Sequence, residues 1–287
     1  MTRRGESGVI LLNVLAVLAI ASSVVVLMAT LQGSAIGRSE RLSDAIAADA
    51  IIRGGEAAAQ AALRRDATET PDSVDYAQSW ARLNENAAPI FGGSFSMRIV
   101  DAQARYNVNN LIRPNLAALD ELRRMVQVAG LPPEAADALA LRLSQGGEIE
   151  RFEDLGGTES EKAIVSALGP LLVALPLPTK VNVNTADETL LALLLRNGGA
   201  ARQLTARRQR NGRLTPQDFS DVKAFLPPDA GFTSDYFEVR LEVTYGDVTE
   251  AVTSLLRRRR RGGGVVVEVI DRRREYGRPI EIGAAAG

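Results

Sequence analysis

The chain has 287 residues, a formal net charge of −1, and neither cysteine nor histidine. Without cysteine there are no disulfides or thiolate metal sites, and without histidine there is no Ser-His-Asp or Cys-His chemistry and no imidazole metal site. The near-neutral charge argues against a dedicated nucleic-acid binder. With lysine only at 162, 180 and 223, a catalyst would have to be built from carboxylates, Ser and Tyr, so no enzyme is expected.

A short leader carrying Arg3 and Arg4 runs straight into an apolar stretch from Val9 to Leu31, with no charged side chain between Ser7 and Gly37. At about 1.5 Å per helical residue this stretch crosses a hydrocarbon core of about 30 Å, and the leading arginines keep the N-terminus in the cytoplasm. A secretory signal has a shorter apolar region that ends in a small-residue cleavage site. Here Gly8 stands before the apolar run with no polar linker. From Ser34 to Arg65, the residues Leu42, Ala45, Ile46, Ile52, Ala59, Ala62 and Leu63 fall at spacings of three, four and seven. This predicts an amphipathic continuation packed on a soluble domain, with Gly54-Gly55 as its weak point. The polar stretch from Asp66 to Asp75, which contains Pro71, ends it, and Tyr76, Trp80 and Leu83 fit a further short helix.

Gly92-Gly93 introduces an alternating run that puts Phe95, Met97 and Ile99 on one face of a half-buried strand. A second alternating run comes only at Phe237–Val243. After the Gly246-Asp247 turn, Val248–Leu256 fits a hairpin partner, and Val265–Ile270 fits a further strand. The region between is helical: Leu116, Leu119, Leu122, Met125, Val126 and Val128 share one helix, and Ala138, Leu139, Leu141 and Leu143 another. Leu190–Leu195 and Leu204–Arg210 supply two more. The predicted fold is therefore α+β, a long N-terminal transmembrane and amphipathic helix packed on an antiparallel sheet, with a large all-helical domain inserted between strands. The boundaries read as leader 1–8, membrane helix 9–31, first α/β part 32–104, insertion 105–228, and remaining strands with a flexible tail 229–287.

The insertion repeats a motif. Asn107-Val108-Asn109 returns as Asn182-Val183-Asn184, each followed by helices and then by Gly147-Glu148-Ile149 or Gly212-Arg213-Leu214. An Asn-x-Asn pair before an apolar helix supplies side-chain caps to orphan backbone N–H groups, so all four asparagines are expected in turn and cap roles.

The leader resembles that of type IV prepilins, which a prepilin peptidase cuts after the glycine; here the cut falls between Gly8 and Val9. Most such proteins carry Glu five residues after the cut, where this chain has Asn13, a departure typical of the minor pseudopilin general secretion pathway protein K. The segment from Asp101 to Leu111 resembles the start of that family's inserted domain, and Leu175-Pro176 with Val181–Ala186 its second half-domain. The resemblance implies a pilin-like sheet and a minor component of the type II secretion pseudopilus. It further implies a subunit at the tip, working with minor pseudopilins of the I and J types and with the major pseudopilin. It places the chain in the bacterial inner membrane as a single-pass protein, cytoplasmic at its N-terminus and periplasmic beyond. Asn13 suits a tip position, since a terminal subunit has no neighbour above whose amine a Glu would neutralise.

Other members of the family are associated with calcium, but the sequence has no EF-hand spacing and no D-x-D cluster, so no ligands and no cofactor are assigned. The run Arg257–Arg261 before Gly262-Gly263-Gly264 reads as a solvated strand end entering a flexible loop, and Arg272-Arg273-Arg274 with the Ala/Gly tail as a fraying terminus. The competing reading comes from Asn182–Ala186, which also resembles helix-hairpin-helix modules of membrane-anchored DNA-uptake proteins. Arg202, Arg207, Arg208 and Arg210 would then serve phosphates, although Asn197-Gly198-Gly199-Ala200 lacks the hairpin spacing. No nucleic-acid partner is expected.

Overall fold

The computed structural model describes residues 4–112 and 116–275, and for 4–11 and 33–35 it describes the backbone alone. The expected tail after 275 lies outside the described residues. Helix α1, Arg4–Glu69, has 66 residues and is about 100 Å long. Its first half is apolar on all sides and exposed from Leu12 to Gln32, as suits a segment with lipid for solvent. It is the one helix among the described residues long and apolar enough to cross a membrane.

Burial begins at Ala48 and continues through Ile52, Gly55, Glu56, Ala59, Ala62, Leu63 and Asp66, a helical stripe laid on a sheet. One expectation is corrected here. Leu42 and Ile46 share the predicted spacing, yet each is 63% exposed, because they lie on the helix face turned away from the sheet, whose β7–β8 turn covers the Asp44 side of the same stretch. The helix runs through the Gly54-Gly55 pair unbroken. Gly55 is where the sheet comes closest: a Cβ there would stand 2.5 Å from Leu241 Cδ2 and 3.2 Å from the Phe95 ring.

After a single 3-10 turn at Ser79–Arg82 come β1 (Glu85–Ile90) and β2 (Gly93–Asp101). The chain then leaves the sheet for β3 (Tyr106–Asn107), α2 (Leu116–Val128), α3 (Glu134–Gly146), α4 (Glu159–Leu168) and β4 (Leu172–Val173). A second series follows: β5 (Val181–Asn182), α5 (Glu188–Leu195), α6 (Gly198–Asn211), α7 (Pro216–Asp221) and β6 (Ala230–Gly231). It returns as β7 (Tyr236–Tyr245), β8 (Val248–Arg261) and β9 (Gly264–Glu275).

The main sheet is antiparallel throughout, in the order β1-β2-β7-β8-β9. β2 and β7 pair from Gly93 with Tyr245 to Asp101 with Phe237, closing the sheet across the whole insertion. That register puts Met97, Ile99, Phe237, Val239, Leu241 and Val243 against Ala48, Ile52, Ala59, Leu63 and Trp80. Each large side chain so buried contributes about 1.5–3 kcal/mol. Trp80 meets Phe237 edge-on at 5.5 Å, and its Nε1 donates to Gln78 Oε1 at 2.9 Å.

The insertion has its own core, including Leu122, Met125, Leu143, Leu168, Leu190 and Leu204. Its two series are alike: each opens on a two-residue strand and closes with a parallel one, Tyr106 beside Leu172 in the first and Val181 beside Ala230 in the second. Arg272-Arg273-Arg274 is also corrected: these residues do not fray but pair with Ser254-Thr253-Val252 inside β9. Arg272 reaches across to the buried Glu56 of α1, which also accepts from Ser254 Oγ.

Candidate functional site

Two features set the candidate site: the unpacked first half of α1, and a polar junction where the sheet meets the insertion. Gly8 and Val9 lie on the α1 backbone, with side chains outside the described residues. Asn13 is exposed on the same apolar rod. Ser23 Oγ donates to the Ala19 carbonyl at 2.8 Å and Thr30 Oγ1 to that of Val26 at 2.5 Å, so these hydroxyls are satisfied inside the helix, as hydrocarbon demands. Past the apolar span, Ile36, Leu42 and Ile46 remain exposed at 59%, 63% and 63%. That leaves an unpartnered apolar edge between the span and the sheet.

All four asparagines of the repeated motif are buried. The first Asn of each pair turns the chain: Asn107 Oδ1 accepts from the Asn109 N–H at 3.1 Å, and Asn182 Oδ1 from the Asn184 N–H at 3.0 Å. The second Asn ties the motif to the residue two past a left-handed glycine. Asn109 Oδ1 accepts from the Ile149 N–H at 3.1 Å and Asn184 Oδ1 from the Leu214 N–H at 2.7 Å, with Gly147 and Gly212 at φ 74° and 79°. Asn107 also bridges the two series, donating to the Leu177 carbonyl at 2.8 Å and accepting from the Leu175 N–H at 3.0 Å.

The repeat goes further than the motif. Five residues before each of those glycines stands an arginine that pairs with the acid of a Thr-led capping box: Arg142 with Glu161, boxed by Thr158, and Arg207 with Asp218, boxed by Thr215. The spacings Thr158-x-x-Glu161 and Thr215-x-x-Asp218 are sequence signatures of helix starts, and they mark α4 and α7, which periodicity alone does not single out.

At the junction, Asp101 ends β2 fully buried. Its Oδ2 accepts from Ser234 Oγ at 2.6 Å, Thr185 Oγ1 at 2.6 Å and Asn182 Nδ2 at 2.8 Å, and its Oδ1 accepts from the Gln103 N–H at 2.9 Å. Burial pushes the carboxyl above its ordinary range, against the four hydrogen bonds, which lower it. Asn182 also donates to the Val74 carbonyl, and the Tyr76 hydroxyl to that of Thr185, so the segment after α1 joins the same knot. Beside it, Arg105 pairs with buried Glu238 at 2.6 Å. Burial alone would raise the Glu238 carboxyl, but Arg105 and Arg240 outweigh it and hold it below its usual range. The groups at this knot satisfy one another, which makes it a lock and leaves little to offer a substrate. The cavity beside it, lined by Arg105, Phe152, Glu238 and Arg273, measures about 30 Å³, and another between α3 and α4 about 70 Å³. Ligand pockets run to roughly 300–1,000 Å³.

Among the described residues no three acidic side chains converge, and Glu268 and Asp271 stand in ion pairs with Arg259 and Arg273, so these residues do not fit a calcium ligand set. The arginines of α6 are largely engaged. Arg208 donates to the carbonyls of Val183 and Ala186 at 2.8 and 2.6 Å, and Arg207 to Asp218 and Asp221. Asn197 caps α6 through the Ala200 N–H at 3.0 Å.

No family model matches the chain. It is 29% identical to the type II secretion system protein K of Pseudomonas aeruginosa, over 89% of this chain and 90% of that one. It superposes on a chain of the crystal structure of the GspK-GspI-GspJ complex from the enterotoxigenic Escherichia coli type 2 secretion system. There the TM-score is 0.65 and the identity 18%, covering 83% of this chain and 99% of the other. The α+β fold and the resemblance to protein K thus extend from the motifs to nearly the whole chain.

Proposed function

We propose that this chain is the K-type minor pseudopilin of a type II secretion system, a structural subunit and not an enzyme. The observation that carries the reading is the continuity of α1. One helix serves first as an apolar rod with every side chain from Leu12 to Leu31 exposed and then, from Ala48, as the spine of an antiparallel sheet. In the inner membrane, with a cytoplasmic N-terminus, such a helix anchors the subunit and hands it to a helical assembly, while the body stands in the periplasm.

The companions are the I-type and J-type minor pseudopilins, with the major pseudopilin below them. The structurally similar chain comes from a complex named for GspK, GspI and GspJ, which supports the first two partners. Two features favour the tip. Asn13 in place of Glu loses nothing where no subunit stacks above, and a helical block of this size has little room inside a packed filament. The DNA-binding alternative has no comparable support, because Arg207 and Arg208 are committed within the chain.

The test is the mature N-terminus. Protein from the native host, after cleavage by prepilin peptidase, should begin at Val9 by mass spectrometry and keep its apolar helix. An intact Met1, or cleavage beyond Leu31, would remove the pseudopilin reading.

A further inference from the structure

β8 outruns the sheet that it belongs to. Its last pairing with β7 joins Arg257 to Tyr236, with one further bond from the Arg258 N–H to the Asp235 carbonyl at 2.7 Å, and from Arg259 to Arg261 it pairs with β9 alone, opposite Val266 to Gly264. Gly262 and Gly263, at φ 57° and 84°, make the tight turn at the tip. A two-stranded ribbon is marginal by itself, so its direction is set by its root. There Arg258 is buried, donates to the Ser234 carbonyl at 2.6 Å and lies 5.3 Å from the centre of the Phe237 ring, while Val267 packs in the sheet core. The expected solvated strand end and flexible loop is therefore a built projection.

The ribbon is strongly basic. Residues 257–267 hold five arginines and no acid, in a chain of net charge −1. Three of the five are used: Arg257 over Tyr236, Arg258 at the root, and Arg259 with Glu268 at 3.1 Å. Arg260 and Arg261 are exposed and have no carboxylate partner among the described residues. Across from them stand Val265 and Gly264, so no side chain shields the Arg261 guanidinium, and the glycines leave bare backbone beside it.

We infer that the β8–β9 tip is a docking finger for an acidic segment of a partner protein, with carboxylates held by the guanidinium forks of Arg260 and Arg261 and the partner chain lying along Gly262–Gly264. The position selects against a lipid surface. The β7–β8 turn at Gly246 sits against Asp44 of α1, which marks the membrane side of the sheet. The tip lies at the other end of β8, about 45 Å away at 3.3 Å per residue. The number of free cations selects against nucleic acid, because its affinity grows with the number of phosphates neutralised and two arginines neutralise few. The inference rests on the ribbon and, for the exclusion of lipid, on the membrane reading of α1; it does not rest on the pseudopilin reading.

The test uses the full chain in detergent micelles and a short fluorescent poly-glutamate peptide. Binding should weaken with salt and fall at least about tenfold in the double variant Arg260→Ser/Arg261→Ser. The single change Arg261→Ser should fall between, and the control Arg202→Ser/Arg210→Ser on α6 should bind as the parent does. Circular dichroism identical to the parent's shows that a loss of binding is not a loss of fold. The inference is overturned by no binding, by an equal loss in the control, or by phosphatidylglycerol vesicles or duplex DNA binding with the same dependence on Arg260 and Arg261.

Discussion

Asp101 shows how one side chain can hold two units together and what that arrangement costs. Its bonds run to the second half of the insertion (Asn182 and Thr185) and to the segment returning to the sheet (Ser234), so it fastens the insertion near both ends. No arginine or lysine bonds it, and burial raises its folded pKa above the ordinary 3.8. For a carboxyl shifted upward, the folded state binds more protons than the unfolded chain across that window. Its contribution is therefore fully present below 3.8 and is lost as pH rises through the folded value. Asp101→Asn removes the titration and leaves one donor facing another, an expected loss of about 1–3 kcal/mol. Denaturant unfolding of both proteins between pH 4 and 7.5 should show the parent's advantage shrinking as pH rises. An advantage that grows with pH would mean that a cation, and not a ring of hydroxyl and amide donors, stabilises this carboxylate.

At the level of elements, α1 is decided by where glycine meets the sheet. Gly54 faces open space and Gly55 faces Leu241 and Phe95. Gly54→Ala should stabilise by about 0.5–1 kcal/mol through helix propensity alone. Gly55→Ala has the same propensity gain but pushes a methyl into the fully buried Leu241, and should lose about 1–2 kcal/mol net in thermal unfolding. The sequence shows two glycines side by side and cannot tell them apart, because the difference lies in a strand nearly 190 residues away. The same reason separates what is legible in this chain from what is not. β2 and β7 are readable because one face of each is buried, which forces alternation into the sequence. β1 is not, because it is an edge strand with most of its residues exposed and carries Pro89, so nothing imposes a period on it. The Asn-x-Asn repeat is readable because both copies solve the same capping problem. Its long-range ties, Asn109 to Ile149 and Asn184 to Leu214, are foreshadowed only by the Gly-x-x triplets that follow each copy. Arg272 looks like part of a charged tail until the fold brings it to Glu56.

For the whole molecule, the question is which part of α1 belongs to the subunit and which to its assembly. Ile52 is fully buried under the sheet, while Ile46 and Leu42, nearly two and nearly three turns nearer the apolar span and on another face of the helix, are mostly exposed. Exposed apolar residues on a rod that continues into a span long and apolar enough to cross a membrane have no use in a solitary subunit, and companion helices of the proposed complex would cover them. Ile52→Ser should therefore unfold the α+β body, with a loss of about 2–4 kcal/mol from a core that cannot relax. Leu42→Ser/Ile46→Ser should leave its stability unchanged within about 0.5 kcal/mol. When fragments that begin near Arg38 are mixed with periplasmic fragments of I-type and J-type companions, the parent should elute as a ternary complex in size-exclusion chromatography, and the Leu42→Ser/Ile46→Ser variant as separate species. If that variant still assembles, the contact lies elsewhere on the body and the exposed apolar edge belongs to the membrane surface. If it also loses thermal stability, Leu42 and Ile46 serve the subunit's own fold and the division at Ala48 is wrong.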